Sequence, residues 1–497
     1  MITFKQDTSV VLGYVPIRRD SFPVPTAATL RDAIKKAVFP IFESIDDLVI
    51  VDIDDIVDDG MLWSHKDVGR VVDKLRAARV DAVFFPHCNF GQEEVVTMVA
   101  RELGKPVLLW GPRDPDPEES GGNTIVGPRA WDTQCGLFAT GRALSRNRVP
   151  FTYIENCWLD APILKRGIDD FVRVASVVKA FRGMRVAQIG TRPDCFWTCR
   201  YNEKKLQKLG PTAVVCDLSE AFAEAKAIGD DDPEYRKHLD ETKRYADCSQ
   251  CDPQAIQRSA KFELFLRRFQ KRHRIDGFGV QCWASIQHNY GCSACLAMSR
   301  LGNDGIPCAC EADILGTMSM HAALLAAGTP AGLADWNNLH NDDDELATIW
   351  HCGVFPGVFS KPSGSQCSQP PIRIGDLGVQ DAPPGNTHGT VHFVSKPGPV
   401  TLFRVAQDVD SNWHAVVVEA AFEDNAAETS GCYGWCRIPN LQSLYRNVLL
   451  QHFPHHVGVV QEHYGNVLWE AFGNYFDMKM YHSAQVVPGL YTSQLPF

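Results

Sequence analysis

The N-terminal third of the sequence alternates short, almost unbroken apolar runs with segments of helical periodicity. The runs are VVLGYVPI, DLVIVDID, DAVFFPHCN and KPVLLWGPRD. Between them, Leu30 to Phe42, Asp67 to Ala78 and Glu93 to Leu103 carry apolar residues at three- and four-residue intervals. A strand that is apolar on both faces does not suit a sheet with one wet side. It belongs in a parallel sheet covered by helices above and below. Such sheets gather ligands beyond the C-terminal ends of their strands, which draws attention to the loops at 87–94 (HCNFGQEE) and 110–114 (WGPRD).

A second βα series begins at MRVAQIGTRP (184–193). It continues through PTAVVCDLSE (211–220), DGFGVQCWASI (276–286) and IPCACEADI (306–314), with a helix predicted from Leu315 to Leu325. Gly190 stands alone after its strand, so there is no dinucleotide fingerprint. The texture changes near residue 335. Pro, Gly and Ser cluster between 356 and 400, and GTVHFVS, VTLFRVA and HAVVVEAAF alternate as antiparallel strands do. A closing helix is predicted from Asn466 to Tyr475. The expected fold class is α/β: two Rossmann-like parallel-sheet domains (1–160 and 161–333) followed by a β-rich C-terminal domain (334–497). A chain of 497 residues is in any case too long for a single core.

The net charge is −11, from 49 Lys+Arg against 60 Asp+Glu, which argues against nucleic acid or an anionic membrane as partner. No apolar stretch reaches the roughly 20 residues needed to span a bilayer. The opening MITFKQDTSV lacks a basic region followed by an apolar one, so a cytoplasmic location is expected. The 17 cysteines are then expected to stay reduced. Two CxxC pairs, Cys248/Cys251 and Cys292/Cys295, are spaced too widely for a zinc ribbon, which favours free thiols over a structural zinc site. The acidic runs at 229–234 and 341–345 are expected to be solvated loops. GCYGWCRIPN (431–440) is expected to be a Gly-rich hairpin.

Polar residues that close apolar runs are informative because their burial is costly without partners. Glu311 directly follows IPCAC, Asp335 directly follows AGLA, and His455 and His456 precede VGVV. Both carboxylates are expected at strand ends, where a parallel sheet places its ligands. Two carboxylates and an imidazole suit an octahedral divalent ion with positions left for substrate oxygens. The bland alternatives are a helix N-cap for each carboxylate and a structural role for the histidines.

Three segments resemble L-fucose isomerase. ACEADILGTMSMHAAL (309–324) is similar to the strand–helix that carries the family's metal-binding glutamate, and GLADWNNL (332–339) to the segment that carries its metal-binding aspartate. PHHVGVVQEHYGN (454–466) is similar to the terminal metal-histidine segment, where a second histidine follows the ligand by seven residues; His456 and His463 keep that interval. The double histidine also resembles L-arabinose isomerase, in which a further histidine follows the second carboxylate; His351 stands in a comparable place. GVQCW resembles a segment whose glutamine faces substrate, which here is Gln281. The arginine found after the first strand is not matched in place: Val15 stands there, and Arg18 and Arg19 follow.

The resemblance implies an aldose–ketose isomerase working through an enediol, on a substrate of the L-fucose, D-arabinose or L-arabinose type. It implies Glu311, Asp335 and His456 as metal ligands, with the two carboxylates also catalytic. The metal implied is Mn2+, with Mg2+ or Co2+ as alternatives. Gln281, His351 and Arg18 are the implied substrate-binding residues; apart from the resemblance, Trp336 is the best candidate among Trp197, Trp283, Trp336 and Trp435 to stack on a sugar, because it adjoins Asp335. The family assembles as trimers and hexamers, so a homo-oligomer is expected. Competing readings are an epimerase or other metal–enediol enzyme on a sugar, and a non-catalytic sugar-binding module.

Overall fold

The computed structural model describes residues 7–115, 131–361, 372–376, 382–424, 429–482 and 490–491. The chain forms two compact units. Among the described residues, one comprises Asp7–Lys179 with Trp469–Asp477 and Leu490–Tyr491; the other comprises Ala180–Leu468 with 478–482.

The first unit is built on a parallel sheet of β1 (Val10–Tyr14), β2 (Leu48–Val51), β3 (Ala82–Pro86), β4 (Val107–Trp110) and β5 (Thr152–Ile154), in the order β5-β4-β3-β1-β2. Leu490–Tyr491 adds antiparallel to β5. Every residue of β3 and β4 is buried, as strands covered on both faces require. The intervening helices carry ordinary signals. Ser64 caps His65–Ala77 by accepting from the Lys66 amide, with Asp67 in the first turn and Lys74 and Arg76 in the last. Glu93–Leu103 ends on Gly104, whose φ of 60° closes the helix in the left-handed region. The segment Trp469–Asp477 is tied in through Thr152 Oγ1, which donates to Glu470 Oε1 at 2.7 Å, and Tyr475 Oη, which donates to the Val107 carbonyl at 3.1 Å.

The second unit holds a four-stranded parallel sheet and a β-barrel. The sheet comprises β6 (Arg185–Ile189), β7 (Thr212–Cys216), β8 (Gly277–Val280) and β9 (Cys308–Ala309), in the order β7-β6-β8-β9. The barrel strands are β10 (Gly332–Leu339), β11 (Leu346–His351), β12 (Arg373–Asp376), β13 (His388–Val394), β14 (Gly398–Gln407), β15 (Trp413–Phe422), β16 (Cys432–Arg437), β17 (His456–Gln461) and β18 (Lys479–Tyr481). Six of them close antiparallel in the ring β16-β11-β10-β17-β14-β15, with β15 pairing back to β16. Closure removes the exposed edges an open sheet would present. The core that fills it includes Ala334, Ile349, Leu402, Val418, Val457 and Val459, with Trp336 packed against it. The expected α/β class with a β-rich C-terminal part is therefore what the chain adopts. GCYGWCRIPN supplies a ring strand, β16, where a Gly-rich hairpin was expected.

The helix Ile314–Ala327 links the two halves of this unit. All of its residues are buried, and it packs on β6 and β8 on one side and on β14 and β17 on the other. A helix apolar all round is what such a position demands. Gly458 of β17 makes the approach close: a Cβ there would stand 3.1 Å from the Phe403 carbonyl and 3.3 Å from the Met320 amide. Ser319 adds a fixed point, its hydroxyl oxygen accepting from the Val405 amide at 2.9 Å. Among the described residues, no helix is long and apolar enough to cross a membrane.

Candidate functional site

The contact between Ile314–Ala327 and β17 determines what meets at the start of that helix. Asp313 is the N-cap, accepting from the Gly316 amide at 2.9 Å. Just before it, the chain leaves β9 through the turn Cys310–Ala312. Glu311 (φ 60°) and Ala312 (φ 53°) both lie in the left-handed region. Two consecutive L-residues there cost roughly 1–2 kcal/mol each. Strain of this kind persists only where the surroundings over-determine it, and it clusters at functional sites. Here it turns the Glu311 carboxylate toward β17.

Asp335 and His456 are direct cross-strand partners on β10 and β17. Their neighbours Ala334, Trp336 and Val457 belong to the barrel core, so strand alternation sends Asp335 and His456 to the opposite face. Asp335 thus comes from the middle of an antiparallel barrel strand, where the end of a parallel strand was expected. The three side chains converge. His456 Nε2 stands 3.6 Å from Glu311 Oε2 and 3.7 Å from Asp335 Oδ1. Both His456 Nε2 and Asp335 Oδ1 are buried without a hydrogen-bond partner, an uncommon and costly condition for buried polar atoms.

The other face of the imidazole is fixed. His456 Nδ1 donates to Asp313 Oδ2 at 2.8 Å, and Arg404 of β14 grips the same carboxylate through Nη1 and Nη2 at 2.6 and 3.0 Å. Although burial alone would raise the Asp313 carboxyl, Arg404 and His456 hold it well below the usual carboxylate range. Burial pushes Glu311 up to about 7, against the pull of His456 and His351. Burial likewise raises Asp335, with the same two histidines opposing. A carboxyl poised near neutrality, beside an ionised one locked in an ion pair, is a familiar arrangement for acid–base work.

His351, at the end of β11, has its ring 5.5 Å from that of His456. Burial lowers it, but Cys352, Asp335 and Glu311 outweigh this and raise it to about 10. His455 Nε2 lies 3.8 Å from Glu311 Oε2 and 3.9 Å from Asp335 Oδ1, its ring stacked on Phe196. Gln281 accepts from the Thr191 amide through Oε1 at 2.8 Å. Trp336 faces the barrel core, edge-on to Tyr445. Arg18 lies in the first unit, paired with Asp59 at 2.6 Å and stacked over Trp63. His463 accepts no role in the cluster; its Nε2 lies 3.0 Å from the Ala420 carbonyl.

Two groups escaped sequence reasoning. Asp313 and Arg404 frame His456, and the lone arginine inside the apolar run VTLFRVA was a signal for them. A cavity of about 680 Å³ was the second miss, lined by Asn337, His340, Thr348, Trp350, Tyr433 and Trp435 among others. Trp350 pairs in register with Asp335 on one side and with Tyr433 on the other, so the cavity continues the face that carries Asp335.

The chain resembles known proteins along most of its length. The fucose/sulfoquinovose isomerase N-terminal domain family matches residues 13–182, and the L-fucose isomerase C-terminal domain family matches residues 349–483. A sulfoquinovose isomerase of Priestia megaterium is 23% identical over 443 residues, covering 85% of this chain and 91% of that protein. One of Alkalicoccus urumqiensis is 26% identical over 397 residues, covering 79% and 81%. A solved periplasmic solute-binding protein of Actinobacillus succinogenes 130z, with bound D-allose, covers 60% of this chain and 83% of its own at 10% identity; its TM-score of 0.16 carries no argument. With both terminal domain families matched in order and relatives aligned along most of their length, this chain belongs to the fucose isomerase-like family of proteins.

Proposed function

We propose that this chain is an aldose–ketose isomerase that works through a divalent cation held by Glu311, Asp335 and His456. The observation that carries the proposal is the pair of unpartnered buried atoms, His456 Nε2 and Asp335 Oδ1, aimed with Glu311 Oε2 at one small space. Buried ligand atoms left without hydrogen bonds fit the coordination of a divalent cation, and oxygen and imidazole ligands suit Mn2+ or a similar ion. Asp313 supports this by fixing His456 through Nδ1, as carboxylates commonly do for ligating histidines. When bound, the cation would offset charge developing on two adjacent substrate oxygens.

The chain's own groups supply the rest. Conversion of an aldose to its ketose moves a proton from C2 to C1 and another from O2 to O1. Glu311 can take the proton from C2 as a base and, after exchange with solvent, deliver one to C1. Asp335, on the cavity side, is placed to relay the hydroxyl proton. The cavity beyond it offers aromatic faces at Trp350, Trp435 and Tyr433 and hydrogen-bonding groups at Asn337 and Thr348. Its volume suits a small ligand.

The relatives point to sulfoquinovose, an aldohexose with a sulfonate in place of its terminal hydroxyl, as the first sugar to try. L-fucose, D-arabinose and L-arabinose follow. The test incubates the purified chain with each aldose and Mn2+ and looks for the matching ketose by NMR. Ketose formation from one sugar is expected, falling by about 10²-fold or more in Glu311→Gln. Absence of ketose from every sugar, or near-normal turnover by the variant, would end the assignment.

A further inference from the structure

Beyond the carboxylate–histidine cluster lies a second concentration of metal-binding atoms. The Sγ atoms of Cys295, Cys310 and Cys352 all lie within 4.8 Å of one another, and Cys282 also contacts Cys310 through its thiol. These cysteines arrive on separate elements. Cys282 follows β8, Cys295 opens the helix Cys295–Asn303, Cys310 follows β9 and Cys352 follows β11. Neither CxxC pair of the sequence forms the cluster; Cys295 joins it alone of those four residues.

The cluster differs from several of the other buried thiols in what it faces. Cys251, Cys308 and Cys432 each donate to a backbone carbonyl, as an inert core thiol does. Cys295 and Cys310 instead turn toward sulfur. Bringing several poor hydrogen-bonding groups together in a dry interior gains little unless something binds them jointly. Thiolates about 2.3 Å from a tetrahedral ion stand about 3.8 Å apart, within the observed spread. Soft sulfur donors select zinc-class ions over manganese or magnesium.

We propose that Cys295, Cys310 and Cys352, with Cys282 beside Cys310, form a thiolate site for a zinc-class cation, separate from the Glu311–Asp335–His456 cluster. Its role follows from chain position. Cys310 immediately precedes Glu311, and Cys352 immediately follows His351. An ion shared by the two would clamp both backbone segments and hold the left-handed turn that aims Glu311. The proposal does not depend on the isomerase reading.

The test strips the full-length chain of metal under reducing conditions and titrates it with Co2+ and, separately, Cd2+. Thiolate-to-metal charge transfer in the ultraviolet is the readout. The expected result is a band saturating at one ion per chain, retained in Asp335→Asn and lost in Cys295→Ser and Cys310→Ser. Should the cysteine variants fail to fold, the wild-type and Asp335→Asn titrations decide. Absence of the band in the wild type, full retention of it in a folded Cys295→Ser, or a disulfide among these cysteines in the freshly isolated protein would overturn the proposal. Its failure would leave the sugar assay untouched, so the two claims fall separately.

Discussion

Replacing Asp313 by Asn would disturb two things at once, and the structure separates their sizes. Asp313 and Arg404 form a bidentate ion pair with almost no exposure of either side chain. Removing one partner of such a pair leaves a buried charge uncompensated and costs about 3–5 kcal/mol. Asn keeps the shape and one acceptor, so the lower end of that range is expected. The second effect acts on His456, whose Nδ1 loses its carboxylate acceptor. Loss of a histidine's outer partner typically weakens metal binding about 10–100-fold, or about 1.4–2.7 kcal/mol. Urea unfolding measured with chelator present reads the first effect alone, and calorimetric Mn2+ titration at low temperature reads the second. The double variant Asp313→Leu/Arg404→Met should recover much of the stability, because apolar replacement of a whole buried pair is often neutral, while Mn2+ affinity stays weak. Unchanged stability and unchanged Mn2+ affinity in Asp313→Asn would refute the reasoning, since both consequences rest on the same two contacts.

Other substitutions probe the frame around the site. Gly458→Ala places a Cβ 3.1–3.4 Å from the backbone of β14 and of the helix Ile314–Ala327; it should cost about 1–3 kcal/mol in urea unfolding and weaken Mn2+ binding by drawing His456 from Asp313. Glu470 tests the first unit. Burial raises its carboxyl from 4.5 to about 8. A raised folded-state value means that its stabilising contribution is complete below about pH 4.5 and is lost as pH rises through about 8. The Gln variant keeps the oxygen that accepts from Thr152 and Asn474, so its urea midpoint should fall less than the wild type's between about pH 6 and about pH 9. Equal slopes in the two proteins would contradict the burial argument.

The unbroken apolar runs around β3 and β4 revealed a parallel sheet because burial on both faces leaves no room for polar alternation. The barrel strands were legible as strands, yet their closure was not: the pairing of β16 with both β11 and β15 joins residues remote in sequence. Glu311, Asp335 and His456 emerged through order and spacing shared with a family. Asp313 did not, because a carboxylate opening a helix reads as an ordinary cap, which it also is. Trp336 was favoured for its adjacency to Asp335, but strand alternation puts a residue's immediate neighbour on the other face and its cross-strand partner, here Trp350, on the same one. The thiol cluster was invisible for a related reason, since the CxxC spacing that draws the eye joins no two of the sulfurs that meet.

The most direct test follows solvent deuterium entering the sugar during conversion of the proposed aldose substrate in D2O, using the chain before chelation, after chelation and after return of Mn2+. Deuterium at C1 of the ketose, lost on chelation and restored by Mn2+, is the predicted result. The rate of labelling should fall by about 10²-fold or more in Glu311→Gln. Undiminished conversion and labelling by the fully chelated chain would contradict a cation held by Glu311, Asp335 and His456.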